Sequence, residues 1–226
     1  MFQQNCLGVR YIIKYLINCL LEIIYPSCTN CLNCGVEESE HFLCDQCKTQ
    51  LKYVGEPFLL DNNKCYSIVY YNHMIKKLVS EFKYKKNFNV GEFFSHLLYR
   101  KVVDEKIDFD YITYIPMNKS ALKKREFNQC EYLAKKLSEK TGKEVIQILG
   151  KREGVKEQKT LCKSERLENI KDAFYIEIND LYLENKRILL LDDVVTSGAT
   201  LLSSTKILKK YYNIDVFLLT VVKSSI

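Results

Sequence analysis

Two carboxylates in tandem, Asp192 and Asp193, are followed by Val194, Val195, Thr196, Ser197, Gly198, Ala199 and Thr200. Carboxylates accept hydrogen bonds from vicinal hydroxyls, while backbone N–H groups and small hydroxyl side chains cradle a phosphate monoester. Thr196, Ser197 and Thr200 supply the hydroxyls. Val195 and Ala199 flank them, and Gly198 permits close approach of the main chain. Side by side, these features describe a site for a ribose 5-phosphate. The unbroken aliphatic run Ile188, Leu189, Leu190 and Leu191 predicts a fully buried strand. The chain is expected to turn from it through the two carboxylates into the loop, with a helix opening at Leu201 and Leu202. In open α/β sheets such a strand-to-helix junction is where ligands bind, and the helix dipole favours an anion. The bland alternative is a buried strand followed by an ordinary capped turn.

A second constellation lies near the front. Cys31-Leu32-Asn33-Cys34-Gly35 and Cys44-Asp45-Gln46-Cys47 form two Cys-x-x-Cys knuckles across a short polar loop. This spacing lets both sulfurs of a knuckle reach one tetrahedral ion, and four thiolates close the shell, so a zinc held there would be structural. Cys28 competes for the assignment, since Cys28 and Cys31 are spaced the same way, and His41 is a substitute ligand. The residue Gly35 after Cys34 favours the set Cys31, Cys34, Cys44 and Cys47. Free thiols or disulfides are the alternative. Five of the 10 cysteines crowd between Cys28 and Cys47, which suits a metal site in a reducing cytosol better than a disulfide framework.

The elements that must position these groups fit 226 residues: one α/β domain plus a small appendage. A formal net charge of +6 is too mild to demand a nucleic-acid partner. Residues 9–25 are apolar but broken by Arg10, Lys14, Asn18 and Glu22, four apart on one helical face. That predicts an amphipathic helix over 1–26, packed on the protein or lying at a membrane surface, and no transmembrane segment. The zinc module covers 27–52 and the main domain 60–226. Within it, strands are expected at 66–71, 111–115 and 145–149. Helices are expected from Ile75 to the Lys83–Lys86 region, over 91–103, and over 127–140 with Gly142 as its stop. Strands alternating with helices imply a mostly parallel sheet.

The acidic loop resembles the signature of type I phosphoribosyltransferases, which bind phosphoribosyl pyrophosphate. Pro116, Arg125, Phe127, Asn128 and Gln129 are similar to the Pro-…-Arg-Gly-Phe-Asn-Gln block of the ComF/GntX family, zinc-bearing relatives of those enzymes linked to natural competence. Gln158, Leu161, Arg166, Asn169 and Phe174 fit a second block in register, and Tyr71, Ile75, Leu78, Phe82, Lys83 and Tyr84 a third. The resemblance implies a phosphoribosyltransferase-like α/β fold behind a small N-terminal zinc module. Glu126 stands where the family has Gly, Lys151 replaces Arg, and Val155 replaces Thr.

Carried onto this chain, the resemblance gives Asp192 and Asp193 the ribose hydroxyls and the 195–200 loop the 5-phosphate. Arg125, Lys119 and Lys124 fall to the pyrophosphate, with Arg166 reaching over it and magnesium bound through the ligand's own oxygens. The chemistry would be displacement of pyrophosphate at the ribose C1. It asks for positioning and charge neutralisation rather than a protein nucleophile. Two other functions compete: a sensor that holds the sugar pyrophosphate without turnover, and a single-stranded DNA module. The latter would use the interleaved Lys76, Lys77, Phe82, Lys83, Tyr84, Lys85, Lys86 and Phe88. Competence and helicase proteins are the protein partners that the family implies.

Overall fold

Ile188, Leu189, Leu190 and Leu191 are each 0% exposed, so the strand that carries them is covered on both faces. A computed structural model describes residues 30–36, 42–153, 173–177 and 182–224. The chain forms two units, divided between Lys48 and Thr49. The first contains helix α1 (Asp45–Lys48). The N-terminal helix expected over 1–26 lies outside the described residues, as do Cys28, His41, Val155, Gln158, Leu161, Arg166 and Asn169.

In the second unit the elements run β1 (Phe58–Leu60), β2 (Asn63–Tyr70), α2 (His73–Lys85), α3 (Phe88–Asp104), β3 (Tyr111–Tyr114), α4 (Lys119–Arg125), α5 (Gln129–Thr141), β4 (Glu144–Val145), β5 (Leu149–Lys151), β6 (Phe174–Ile176), β7 (Arg187–Val195), α6 (Ala199–Tyr211) and β8 (Asp215–Lys223). Six strands form one sheet in the order β1-β2-β8-β7-β3-β4. Only the β1–β2 hairpin is antiparallel; every other neighbouring pair is parallel. The expected mostly parallel α/β sheet is therefore present. Helices α3 and α5 pack on it and on each other, while α6 packs on β7 and β8. The β5–β6 pair is a separate antiparallel ribbon, also touched by α6.

Several boundaries differ from expectation, three of them for a clear local reason. β7 does not end at Leu191 but continues through Asp192 and Asp193 to Val195, because β8 goes on offering partners at Thr220, Val222 and Lys223. The expected strand at 145–149 is two pieces in different sheets: β4 pairs with β3, and β5 with β6. Helix α5 starts at Gln129 rather than 127, because the Asn128 side chain accepts hydrogen bonds from the N–H groups of Cys130 and Glu131. It stops where Gly142 takes a left-handed φ of 70°.

The order of the sheet locates a crevice. From β3 the chain crosses by α4 and α5 to β4 on one side, and from β7 it crosses by α6 to β8 on the other. β3 and β7 are neighbours, so their onward connections part in opposite directions at their carboxyl ends. That reversal is where open α/β sheets bind ligands. Among the described residues, no helix is long and apolar enough to cross a membrane.

Candidate functional site

The last residues of β7 carry the acidic pair to this crevice. Asp192 is only 8% exposed. Its Oδ1 accepts from the Asp193 N–H at 2.8 Å and faces the Cys130 thiol at 3.5 Å. Asp193 Oδ2 lies 2.5 Å from Lys83 Nζ. Lys83 comes from the last turn of α2 and Cys130 from the first turn of α5, so three elements converge on two carboxylates. Burial and the neighbouring Asp193 charge push the Asp192 carboxyl up to about 7, against the opposing pull of Lys83, the Asp193 N–H and the Cys130 thiol. Burial likewise raises the Cys130 thiol well above its usual value, so it acts as a neutral donor.

Beyond Val195 the chain makes the tight turn that the sequence placed here. Gly198 has φ 75°, and an added Cβ would come within 2.9 Å of Leu60 Cδ2, so both conformation and space call for glycine. Ser197 Oγ accepts from the Ala199 N–H at 3.5 Å. Thr196 and Ser197 are exposed, Thr200 is half-buried, and Val195 and Ala199 are buried. Helix α6 then begins at Ala199, two residues earlier than expected, and its first-turn N–H groups have no intrahelical acceptors.

Arg125, the last residue of α4, stacks over Tyr84 with 5.3 Å between its guanidinium carbon and the ring centre, and its Nη1 donates to Gln129 Oε1 at 3.3 Å. Glu126 follows in a left-handed conformation, φ 66°, which accounts for the glycine that the family has there. Its carboxylate pairs with Lys86. Lys119 and Lys124 are exposed on α4, and among the described residues neither forms an ion pair. Lys83 is thus taken out of the basic and aromatic run by Asp193. Of its neighbours, Phe82 is buried while Tyr84 and Phe88 remain exposed.

Sequence reasoning passed over three residues of this site. Lys83 reads as part of a basic run and of a matched block, and Cys130 falls without a role inside the helix expected over 127–140. Gln129 belongs to the matched block but received no role. It is 2% exposed, and its Nε2 has no hydrogen-bond partner. Because Arg125 can only donate, the Gln129 oxygen must face it, which leaves the amide N–H₂ as an unanswered buried donor.

In the first unit Cys31, Cys34, Cys44 and Cys47 bring their sulfurs within 4.8 Å of one another. Cys34 and Cys44 Sγ are 3.9 Å apart, against about 3.8 Å for two sulfurs at 2.3 Å from a tetrahedral zinc. Gly35 turns the first knuckle at φ 71°, and its N–H donates to the Cys31 carbonyl at 2.8 Å. Burial raises the Cys31 thiol, but backbone N–H groups of Cys34, Cys44 and Asn33 outweigh it and hold it down at about 6. Burial and the neighbouring sulfurs push the Cys44 and Cys47 thiols up, so without a metal the thiolate rests on Cys31. The four-cysteine cluster can hold a metal such as zinc.

No protein-family model matches the chain. It is 28% identical over 174 residues to the competence protein ComFC of Bacillus subtilis, covering 76% of this chain and 68% of the relative. It is 26% identical over 195 residues to competence protein F of Haemophilus influenzae, covering 80% and 84%. These relatives bear out the resemblance to the ComF family. Among solved structures, the adenine phosphoribosyltransferase of Thermoanaerobacter pseudethanolicus aligns with a TM-score of 0.43 at 14% identity, over 79% of this chain and 98% of that one. The glutamine phosphoribosylpyrophosphate amidotransferase of Bacillus subtilis aligns with 0.41 at 17% identity. The alignment covers 62% of this chain, which spans only 30% of the length of that one.

Proposed function

We propose that the chain binds phosphoribosyl pyrophosphate at the carboxyl end of β7, in a role connected with DNA uptake during natural competence. One observation carries this reading: the buried Asp192 and half-buried Asp193 lead directly into a glycine turn and the amino end of α6, at the point where the sheet connections reverse. The carboxylates accept the ribose hydroxyls, and the 195–200 loop receives the 5-phosphate on its N–H groups and hydroxyls. Arg125 and the unanswered Gln129 amide offer donors on the side of α4 and α5, where the pyrophosphate oxygens need them, with Lys119 and Lys124 nearby in sequence. Magnesium, when bound, would sit mainly on the ligand's own oxygens and offset their charge. Zinc in the four-cysteine cluster would be structural. The competence role is supported by the relatives, which are named for it.

The site supports binding by positioning and electrostatics, and transfer would bond an acceptor's lone pair to the ribose C1 as the C1–oxygen bond breaks and pyrophosphate leaves as the anion. The test of binding is a thermal shift. Phosphoribosyl pyrophosphate with magnesium raises the melting temperature of the zinc-loaded protein, and changing Asp192→Asn together with Asp193→Asn abolishes the rise. No shift at millimolar ligand overturns the assignment. Pyrophosphate release on adding nucleobases then separates an enzyme from a sensor. The single-stranded DNA reading is weakened by three ion pairs, Lys83 with Asp193, Lys85 with Glu81 and Lys86 with Glu126, which engage three of its five proposed lysines.

A further inference from the structure

Two carboxylates side by side in a buried site repel each other, and something must offset that repulsion in the ligand-free protein. Lys83 does so from the last turn of α2, with its side chain 18% exposed against 15% for Asp193. Burial works against its charge, but the Asp193 carboxylate outweighs burial and holds the ammonium above the usual lysine range. On the other side, the Asp193 N–H and the Cys130 thiol engage Asp192 Oδ1. One oxygen of each carboxylate is thereby fixed, Oδ2 of Asp193 and Oδ1 of Asp192, and the direction of the other oxygen follows. Lys83 stands 110 positions before Asp193, so no local feature of the chain connects them.

We propose that Lys83 is the positioning residue of the acidic pair: its ion pair fixes the orientation of Asp193 and keeps the pair charged for vicinal hydroxyls to bind. The proposal rests on the ribose 5-phosphate reading of the site. Lys83 acts through Asp193 and does not itself touch the sugar. The charged and titratable groups facing the pair are Lys83 from α2 and Cys130 from α5; Cys65 of β2 feels the Asp192 charge, and Lys223 of β8 acts on Cys65. Removing one partner of a buried ion pair leaves the other uncompensated, which is why the effect should exceed that of a surface pair.

The sign follows from the charge. Hydroxyls bind best to an ionised pair, so affinity rises as pH climbs through the Asp192 titration near about 7. Taking away the ammonium makes the carboxylates hold protons more tightly, so the rise moves to higher pH.

The experiment titrates wild type, Lys83→Met and Lys83→Arg with phosphoribosyl pyrophosphate plus magnesium, and separately with ribose 5-phosphate, from about pH 5.5 to 8.5. For Lys83→Met the expected result is a midpoint raised by about one pH unit and an affinity at pH 7 lowered about fivefold, for both ligands alike. Lys83→Arg restores the midpoint. A lysine that merely supports the fold would lower the melting temperature without moving the midpoint, and that result overturns the proposal. So does a loss confined to the pyrophosphate-bearing ligand, which would make Lys83 a direct phosphate contact, or tighter binding by Lys83→Met, which would make it a competitor for the seat. Failure of wild type to bind either ligand overturns the ribose 5-phosphate reading itself, and the role of Lys83 in binding with it.

Discussion

Asp192 holds an acidic proton about three pH units longer than a solvated aspartate, from a usual value of 3.8 to about 7, because burial and Asp193 disfavour its charge. A carboxyl whose folded pKa is raised costs nothing below the unfolded value. The cost grows as pH rises from about 4 towards 7 and stays constant above. Asp192→Asn keeps an oxygen to accept from the Asp193 N–H and removes the charge, so it should raise the melting temperature at pH 8 by several degrees and leave it nearly unchanged at pH 4. Calorimetric melts at the two pH values check this, and equal temperatures at pH 8 would refute it. The same variant should bind ligand more weakly, so stability and binding pull apart at one side chain. Asp192 and Asp193 were legible in the sequence because their neighbours form a contiguous pattern. Lys83, Cys130 and Gln129 were not, because each acquires its part only when α2 and α5 are folded against the end of β7. Phe82 and Cys130 also satisfy helical spacing, and that spacing alone reads as core.

At the scale of elements, the aliphatic run of β7 announced a buried strand, but its length was set by a partner that the local pattern does not reveal. β8 pairs with it from Arg187 to Val195 and carries the acidic pair in extended backbone. The packing of helices turns on Gly91, in the first turn of α3. A Cβ there would lie 2.6 Å from both Phe82 Cε2 and Tyr132 Cε1, so this glycine lets α2, α3 and α5 close together. Those rings make edge contacts at 5.5 Å between centres, in the cluster that also holds Phe127. Gly91→Ala gains about 1 kcal/mol of helix propensity and loses about 1–3 kcal/mol to overpacking, so a net loss of stability is expected in denaturant titration. Sequence reading placed this glycine at the start of a helix. It could not show the three-way contact, which depends on residues 41 positions apart.

Over the whole molecule, two units rest on different physics. Among the described residues, the first concentrates four sulfurs beside a single other buried apolar side chain, Leu43, so metal should supply most of the folding energy of the cysteine-bearing stretch. The second has its own extensive core. A strong chelator is therefore expected to release one zinc per chain and to abolish the protection of amides near 31–36 and 42–48, while the main melting transition of the sheet persists. Loss of that transition on chelation would contradict the division, and Cys44→Ser provides a second way to remove the metal. Hydrogen exchange reads both units in one measurement. The paired cysteines and the α/β alternation were legible from spacing and periodicity; the order of the strands was not, because it is decided by pairings between distant segments. The most distant of these has a kinetic consequence. β8 inserts between β2 and β7, and Ser67 of β2 bonds to Thr220 of β8 across 153 positions at 2.6 Å. During synthesis β2 leaves the ribosome long before the strand that will flank it, and its exposed edge must wait. Refolding should accordingly be slow and limited by this late insertion, with a nascent chain that depends on chaperones until β8 arrives.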